Sequence, residues 1–158
     1  MHDEEVISWI ASQAAKAHSV FSVCTGALLC GAAGLLRGRR ATTHWASFHL
    51  LPLFGAIPVN ERVVEDGDWV FAAGVTAGID GALRLAANLR GDDVAQGIQL
   101  YMAYAPEPPF NSGTPETAPK STLDQSRQIV RAITEQREQT ARKVAVRLGI
   151  TAQPLAPF

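Results

Sequence analysis

The feature that most constrains the fold is an abrupt change of residue type at Cys24. Residues 18–24, "HSVFSVC", form a short apolar and β-branched run, which is typical of a strand buried on both faces of a parallel sheet. Residues 26–36 are rich in alanine, leucine and glycine, and they predict a closely packed helix. A strand that turns directly into a helix at a potential nucleophile predicts the arrangement called a nucleophile elbow.

The rest of the chain alternates between predicted strands and helices. Helices are predicted over 4–17, 26–36, 46–55, 75–91, 92–105 and 122–148, a short strand over 40–45, and a hairpin within 61–74 that turns at Asp66-Gly67. A Pro-rich segment over 105–119 is too long for an ordinary connection, so we expect it to pack over a surface or a site. Strands alternating with helices predict an α/β fold with a mostly parallel sheet flanked by helices.

Several polar residues and glycines predict where the helices begin and end. Asp3 and Thr76 are candidate N-caps, and Ser121 with Asp124 gives an approximate capping box. The helices are expected to end near Gly34, Gly55 and Gly91, with an interruption at Pro52.

Length and charge exclude several classes of protein. The 158 residues suggest one domain, which we place at 1–150 with a C-terminal tail at 151–158. The net charge of −1 gives no electrostatic reason to expect nucleic acid or an acidic membrane as a partner, and no apolar run is long enough to span a membrane. The only local basic cluster, Arg37, Arg39 and Arg40, is interpreted as a solvated loop.

The cysteines and the N-terminus indicate a reduced cytoplasmic protein. Cys24 and Cys30 are six residues apart, which places them on different faces of a helix, so we expect no disulfide between them. Cys30, inside "LLCGAAG", is predicted to be a core residue. The N-terminal "MHDEEVISW" is acidic and lacks signal-peptide character.

A cysteine at Cys24 fits nucleophilic chemistry. The positive end of the helix dipole stabilises a thiolate, and the backbone N–H groups of Thr25 and Gly26 can hold negative charge that develops on a substrate. The Thr25 hydroxyl can donate to an intermediate or relay a proton. The alternative, that Cys24 is a small core residue, stays open because the V-C-T-G signal is short.

A thiol nucleophile needs a partner that accepts or donates a proton. The histidines are His2, His18, His44 and His49. His44 is the best placed, since it ends a predicted strand, where the sites of parallel sheets gather; the alternative is a structural histidine bonded to backbone. His49 is expected within a helix and half-exposed.

Asp80 and the remaining motifs give weaker indications. Asp80 falls in the predicted first turn of its helix, where it complements the dipole, and a site carboxylate is the alternative. The cysteines and histidines lack metal-ligand spacing, and the chain has neither a P-loop nor a strand-bound G-x-G-x-x-G. We therefore expect no metal and no nucleotide cofactor.

Three stretches together resemble one family. They are "SVCTGALLCGAAGLLRGRRATTHWA" (22–46), "GVTAGIDGAL" (74–83) and "YAPEPPFNSGTPETAP" (104–119). They resemble the ThiJ/PfpI superfamily and, within it, the isocyanide (isonitrile) hydratases, over residues 3 to 148. The resemblance implies a class I glutamine amidotransferase-like fold with flavodoxin-like layering.

The resemblance also implies functional residues and a reaction. It implies a nucleophile at Cys24 with a neighbouring hydroxyl at Thr25, and a pocket in which Val75 and Thr76 lie nearest the sulfur. His44 matches a histidine found close to the nucleophile in some branches. Many relatives have a histidine directly after the cysteine, and Thr25 in that place favours the hydratase branch. The implied reaction adds water to an isocyanide to give an N-substituted formamide, in a homodimer.

Two other functions remain open. The same domain resembles the ligand-sensing half of AraC-type transcription regulators, although the length after the Pro-rich segment is too short for their DNA-binding region. A stress or redox protein that uses Cys24 as an oxidation sensor is the other alternative.

The resemblance further implies a region before the point at which this sequence begins. Relatives have there the first strands, an acidic residue aimed at the cysteine and a Gly-Gly loop. We therefore expect an N-terminally truncated version of the fold and, for the chain as given, weak or no hydratase activity, because a general acid typically contributes about 10²–10⁴-fold to a rate.

Overall fold

A computed structural model describes Met1 and Asp3–Thr151. The candidate His2 and residues 152–158 of the predicted tail lie outside the described residues. No helix in the described part of the chain is long and apolar enough to cross a membrane.

Helices and strands alternate along the chain as predicted. In order they are α1 (Glu4–Ala14), β1 (Val20–Val23), α2 (Gly26–Ala32), β2 (Arg40–Ala41), a 3₁₀ segment (Trp45–Phe54), β3 (Ile57–Pro58), β4 (Val63–Asp66), β5 (Trp69–Ala72), α3 (Val75–Arg90), α4 (Asp92–Tyr101) and α5 (Lys120–Arg147). Residues between α4 and α5 are irregular, as predicted for the Pro-rich segment.

In the described part of the chain, the strands form two small sheets. The larger has the order β1–β5–β4, with β1 parallel to β5 and β4 antiparallel to β5, and the smaller pairs β2 with β3 in parallel. The predicted hairpin is confirmed, and Gly67 at its turn has φ +61°. Since Val23 pairs with Ala72, β1 and β5 end at the same edge, which places Cys24 beside the start of α3.

The prediction that β1 is buried on both faces is wrong. Ser22 is buried, but Val20, Phe21 and Val23 are only half-buried. In the three-stranded sheet β1 is an edge strand, whereas every residue of the central strand β5 is buried. The apolar run therefore predicted a strand correctly but predicted the wrong position for that strand in the sheet.

The predicted strand over 40–45 is also shorter than expected. Only Arg40 and Ala41 pair with β3, because β3 itself has two residues. The following helix is 3₁₀ rather than α-helical and contains Pro52, which cannot donate a backbone hydrogen bond. Gly55, with φ +72°, ends it as predicted.

Of the three predicted N-caps, the one at Asp3 is confirmed, and those at Thr76 and Ser121 are wrong. Asp3 caps α1 as expected, since its Oδ1 accepts from the Val6 N–H at 3.1 Å. Helix α3 instead begins at Val75, and the extended Gly74 precedes it in place of Thr76.

The predicted capping box of Ser121 with Asp124 is absent from α5. That helix begins at Lys120, directly after Pro119, so both residues lie inside it. Asp124 forms an ion pair with Lys120 at 2.7 Å across one helical turn.

The core is one apolar cluster between α2, the 3₁₀ segment, β5 and α5. Cys30 belongs to it, as predicted, and burial raises the pKa of its thiol. Neither Cys24 nor Cys30 is in a disulfide. Among the described glycines, Gly31 is the most closely packed, since an added Cβ would lie 2.4 Å from Cγ of Phe54.

The basic cluster lies in a largely exposed loop, as predicted, and two of its arginines also have structural partners. Arg37 donates to the backbone oxygen of Leu148 at 2.6 Å. Arg39 pairs with Asp66 at 3.2 Å and lies 4.6 Å over the ring of Trp69. The Arg37 and Arg39 side chains connect the loop after α2 to the end of α5 and to the hairpin, while Arg37 and Arg40 are exposed and Arg39 is half-buried.

Candidate active site

Cys24 occupies a strained turn. Its φ of +58° lies in the left-handed region, which a non-glycine residue adopts at a cost of about 1–2 kcal/mol. Its N–H donates to the Ala72 oxygen at 2.8 Å, and the Thr43 hydroxyl donates to its carbonyl oxygen at 2.7 Å. Both backbone groups of the half-buried cysteine are thus held, which fixes the elbow between β1 and α2.

Thr43 and Ser22 are two residues near the elbow that the sequence analysis missed. Thr43 is almost fully buried, and its bond to Cys24 joins residues nineteen apart in the chain. The Ser22 hydroxyl is buried under the elbow, 3.4 Å from where a Cβ on Gly26 would lie, and has no hydrogen-bond partner among the described residues. Thr43 directly precedes His44 in "ATTHW", so the motif contains both residues, but no local pattern predicts that the threonine bonds to Cys24.

Two cavities flank the elbow and divide the predicted site residues. The first, called here the His44 cavity, has a volume of about 390 Å³ and is lined by Thr43, His44, Trp45, Asn60–Arg62, Ala73–Ala77 and Gly113–Glu116. The second, of about 280 Å³, is lined by Thr25 and Gly26 together with residues of α2 and α5, among them Arg137. His44, Val75 and Thr76 therefore line the same cavity, whereas Thr25 and Gly26 line the second one.

His44 makes a backbone contact and also lines a cavity. Its Nδ1 accepts from the Ala46 N–H at 3.3 Å, capping the 3₁₀ segment. Burial lowers the pKa of the imidazole, and the positive charge of Arg137 lowers it further. The ring is therefore neutral near pH 7, and because Nδ1 is an acceptor, the proton is on Nε2. The backbone bond supports the structural interpretation of His44, and its functional role stays a prediction.

Asp80 belongs to a polar cluster beside the same cavity. Its carboxylate accepts from Nε of Arg62, and from the Tyr104 hydroxyl at 2.6 Å. Arg62 Nη2 also donates to the Thr76 hydroxyl at 3.2 Å, and the bond to Asp80 raises the pKa of the guanidinium. Asp80 lies beyond the first turn of α3, which contains no acidic residue, so its predicted role at the helix dipole is wrong.

The other described histidines lie away from the elbow's hydrogen bonds. His18 is exposed in the turn before β1, at the opposite end of that strand from Cys24. His49 is half-buried in the 3₁₀ segment; burial lowers its pKa, and the charge of Glu138 on α5 opposes this. Within Met1 and Asp3–Thr151, no group of three or more histidine, cysteine, aspartate or glutamate residues could hold a metal ion.

Comparison with known proteins gives the family. The model of the DJ-1/PfpI family matches residues 1–88, a range that includes the elbow, His44 and the start of α3. The chain belongs to the DJ-1/PfpI family. As a member it has the expected α/β fold with a helix-flanked sheet, and the elbow at Cys24 lies within the matched part.

Two relatives are similar over most of this DJ-1/PfpI chain. An isonitrile hydratase from Pseudomonas putida is 51% identical over 150 residues, which is 95% of this chain and 66% of the relative. The crystal structure of a ThiJ/PfpI family protein from Pseudomonas syringae superposes with a TM-score of 0.85 at 42% identity, covering 88% of this chain and 57% of that one. The chain thus spans somewhat less than two thirds of each relative.

A third relative is a regulator and is less similar. An HTH-type transcriptional regulator from Pseudomonas aeruginosa is 32% identical over 92 residues, which is 57% of this chain and 27% of the regulator. The likeness to the hydratase is higher in identity and covers more of both proteins.

Proposed function

We propose that this DJ-1/PfpI protein is an isonitrile hydratase that uses Cys24 as its nucleophile. The observation that carries the proposal is the 51% identity to an isonitrile hydratase over nearly the whole chain. The strained and doubly anchored backbone of Cys24, beside two cavities, supports the choice of nucleophile.

The proposed reaction has two stages, as covalent catalysis allows. The Cys24 thiolate attacks the terminal carbon of R–N≡C, a C–S bond forms, and that carbon takes one proton to give the thioimidate R–N=CH–S. Water then adds to the same carbon. One of its protons goes to the nitrogen, and the other goes to the group that supplied the proton in the first stage. The C–S bond breaks, the thiolate is restored, and R–NH–CHO leaves.

Each predicted site residue has a role in this scheme. The backbone N–H groups of Thr25 and Gly26 stabilise negative charge that develops on the substrate, and the Thr25 hydroxyl relays a proton. His44, neutral with its proton on Nε2, donates a hydrogen bond to the substrate from the side of the His44 cavity. Val75 and Thr76 bind the substrate, and Arg62 orients the Thr76 hydroxyl.

The proposal extends to the partners and the compartment. The partner is a small isocyanide molecule, with no nucleic acid or membrane involved, and the assembly is a homodimer. Two free cysteines support a reducing compartment, and we place the protein in the cytoplasm.

The test is turnover of cyclohexyl isocyanide by the purified 158-residue chain, with N-cyclohexylformamide as the measured product. Cys24→Ala should lower turnover by about 10²-fold or more, since it removes the group that forms the covalent intermediate. Cys30→Ala is the matched control, because Cys30 is buried in the core and should leave turnover within a few-fold of wild type.

Formamide production that survives Cys24→Ala would contradict the assignment of the nucleophile. Absence of turnover in a folded wild-type chain would contradict the activity of the chain as given. The wild-type rate also tests the prediction of weak or no hydratase activity for the chain as given, which full turnover would overturn.

A further inference from the structure

We infer that the His44 cavity receives the organic substituent of the isocyanide and selects neutral, apolar substituents over anionic ones. This inference rests on the proposed function, because it names the class of substrate for that same site. It is argued from the position of the cavity, its apolar surface and the charges at its rim.

The cavity adjoins both backbone anchors of Cys24. Thr43, whose hydroxyl bonds the Cys24 carbonyl, lines it. Ala73 also lines the cavity, and Ala72, directly before it, accepts a hydrogen bond from the Cys24 N–H. Its volume of about 390 Å³ is within the range of small-molecule sites. Cys24 itself is not among the lining residues, so the cavity adjoins the backbone of the elbow, and we place only the substituent of the isocyanide in it.

The Pro-rich loop forms the outer wall of the cavity. Gly113–Glu116 line it, opposite the end of β5. Asn60 Nδ2 donates to Oε1 of Glu116 at 3.3 Å, which joins this loop to the chain before β4. The Ala118 N–H donates to the Thr114 oxygen at 2.9 Å and closes a local turn. The segment expected to cover a site thus covers this one.

The accessible surface inside the cavity offers apolar contacts. Val75 is 81% exposed although it starts a helix that packs on the sheet, and the indole of Trp45 lines the same space. Pro115 of the loop is also part of the lining. An apolar substituent would remove these side chains from water, which is favourable in proportion to the apolar area buried.

The charges at the rim disfavour an anion. Glu61 is exposed, lines the cavity and forms no ion pair within the described residues, and Glu116 contributes a second carboxylate. The one guanidinium of the lining, on Arg62, is paired with Asp80. Because like charges repel, Glu61 and Glu116 disfavour a carboxylate on the substrate at this rim.

The size of the substituent is tested by adding bulk at Gly113, a residue of the cavity lining. An added Cβ at Gly113 meets nothing within 4 Å, so Gly113→Trp places an indole in open space at the wall. We expect kcat/KM for cyclohexyl isocyanide to fall about tenfold, with methyl isocyanide changed less than twofold. Gly97→Trp is the matched control, since Gly97 is equally open but lies on α4. Equal losses for both substrates would overturn the inference.

The preference for neutral substrates is tested with isocyanoacetate. Wild type should use it less well than methyl isocyanide, and the double variant Glu61→Gln with Glu116→Gln should raise its kcat/KM about 3–10-fold through removal of the rim charge. The kcat/KM for cyclohexyl isocyanide should change by a smaller factor, because that substrate carries no charge. Glu107→Gln, on the same loop but outside the lining, should change nothing. Equal use of isocyanoacetate and methyl isocyanide by wild type would contradict the inference.

A binding measurement separates failure of this inference from failure of the proposed function. If wild type hydrates no isocyanide, the proposed activity is refuted. The subsite can still be tested by titrating N-cyclohexylformamide into the protein and following its binding by NMR. Binding that Gly113→Trp abolishes and Gly97→Trp retains would support the subsite alone. Absence of formamide binding to wild type would refute the subsite.

Discussion

At the scale of single residues, the candidate site depends on how the backbone of Cys24 is held. The left-handed φ is unfavourable for cysteine, so the turn must be stabilised by its surroundings. Two hydrogen bonds do this, one from Cys24 to β5 and one from the buried Thr43 hydroxyl. The sulfur's position is therefore decided by residues that carry no chemistry themselves.

Thr43→Val tests this anchoring. The substitution keeps the shape of the side chain but leaves the Cys24 carbonyl without its donor, which should lower the free energy of unfolding by about 1–2 kcal/mol. Thr42→Val is the control, because Thr42 is equally buried at 1% exposure and does not bond Cys24. Urea denaturation measures both variants. Equal stabilities would mean that the Thr43 bond contributes nothing to the elbow.

At the scale of elements, α2 is placed by close packing on the 3₁₀ segment. Gly31 lets the helix backbone approach Phe54, both buried in the core. This contact keeps α2, and with it the turn at Thr25 and Gly26, against the segment that begins after His44. Glycine is needed at Gly31 for space and not for its backbone angle, since its φ is not positive.

Gly31→Ala should destabilise the protein for that reason. A Cβ 2.4 Å from Phe54 Cγ forces the ring or the helix to move, at a typical cost of about 1–3 kcal/mol. Gly97→Ala should do the opposite and raise stability by about 0.5–1 kcal/mol, because it replaces an unconstrained glycine inside α4. Thermal melts of both variants give the comparison. A stabilising Gly31→Ala would show that α2 does not pack this closely.

At the scale of the whole molecule, two half-buried histidines couple stability to pH. Burial lowers the pKa of His44 and of His49 below the ordinary value of 6.5. Below pH 6.5 the unfolded chain therefore binds more protons at these sites than the folded chain does. Stability contributed by these groups is present above pH 6.5 and is lost as the pH falls through the lowered folded values.

The free energy of unfolding should accordingly fall between pH 7 and pH 5. In that range unperturbed carboxylates stay ionised, since their pKa values are near 4, so the change reports mainly the histidines. Replacing both His44 and His49 by glutamine should flatten the curve. His18→Gln is the control, because His18 is exposed. A pH dependence as steep in the double variant as in wild type would assign the effect to other groups.

The sequence by itself determined what depends on neighbours within a few residues. The elbow at Cys24, the hairpin turn at Gly67, the Asp3 cap and the helix ends at Gly55 and Gly91 were all predictable. Each follows from a residue's own backbone preference or from hydrogen bonds within a turn, which short sequence patterns encode directly.

Only the tertiary structure decided what depends on contacts between distant segments. It made β1 an edge strand, gave Cys24 a bond from Thr43, and joined Asp80 to Arg62 and Tyr104. It also separated Thr25 and Gly26 from the cavity that holds His44, Val75 and Thr76. The physical reason is that the partners lie far apart in the chain, so no local pattern indicates which groups the packing brings together.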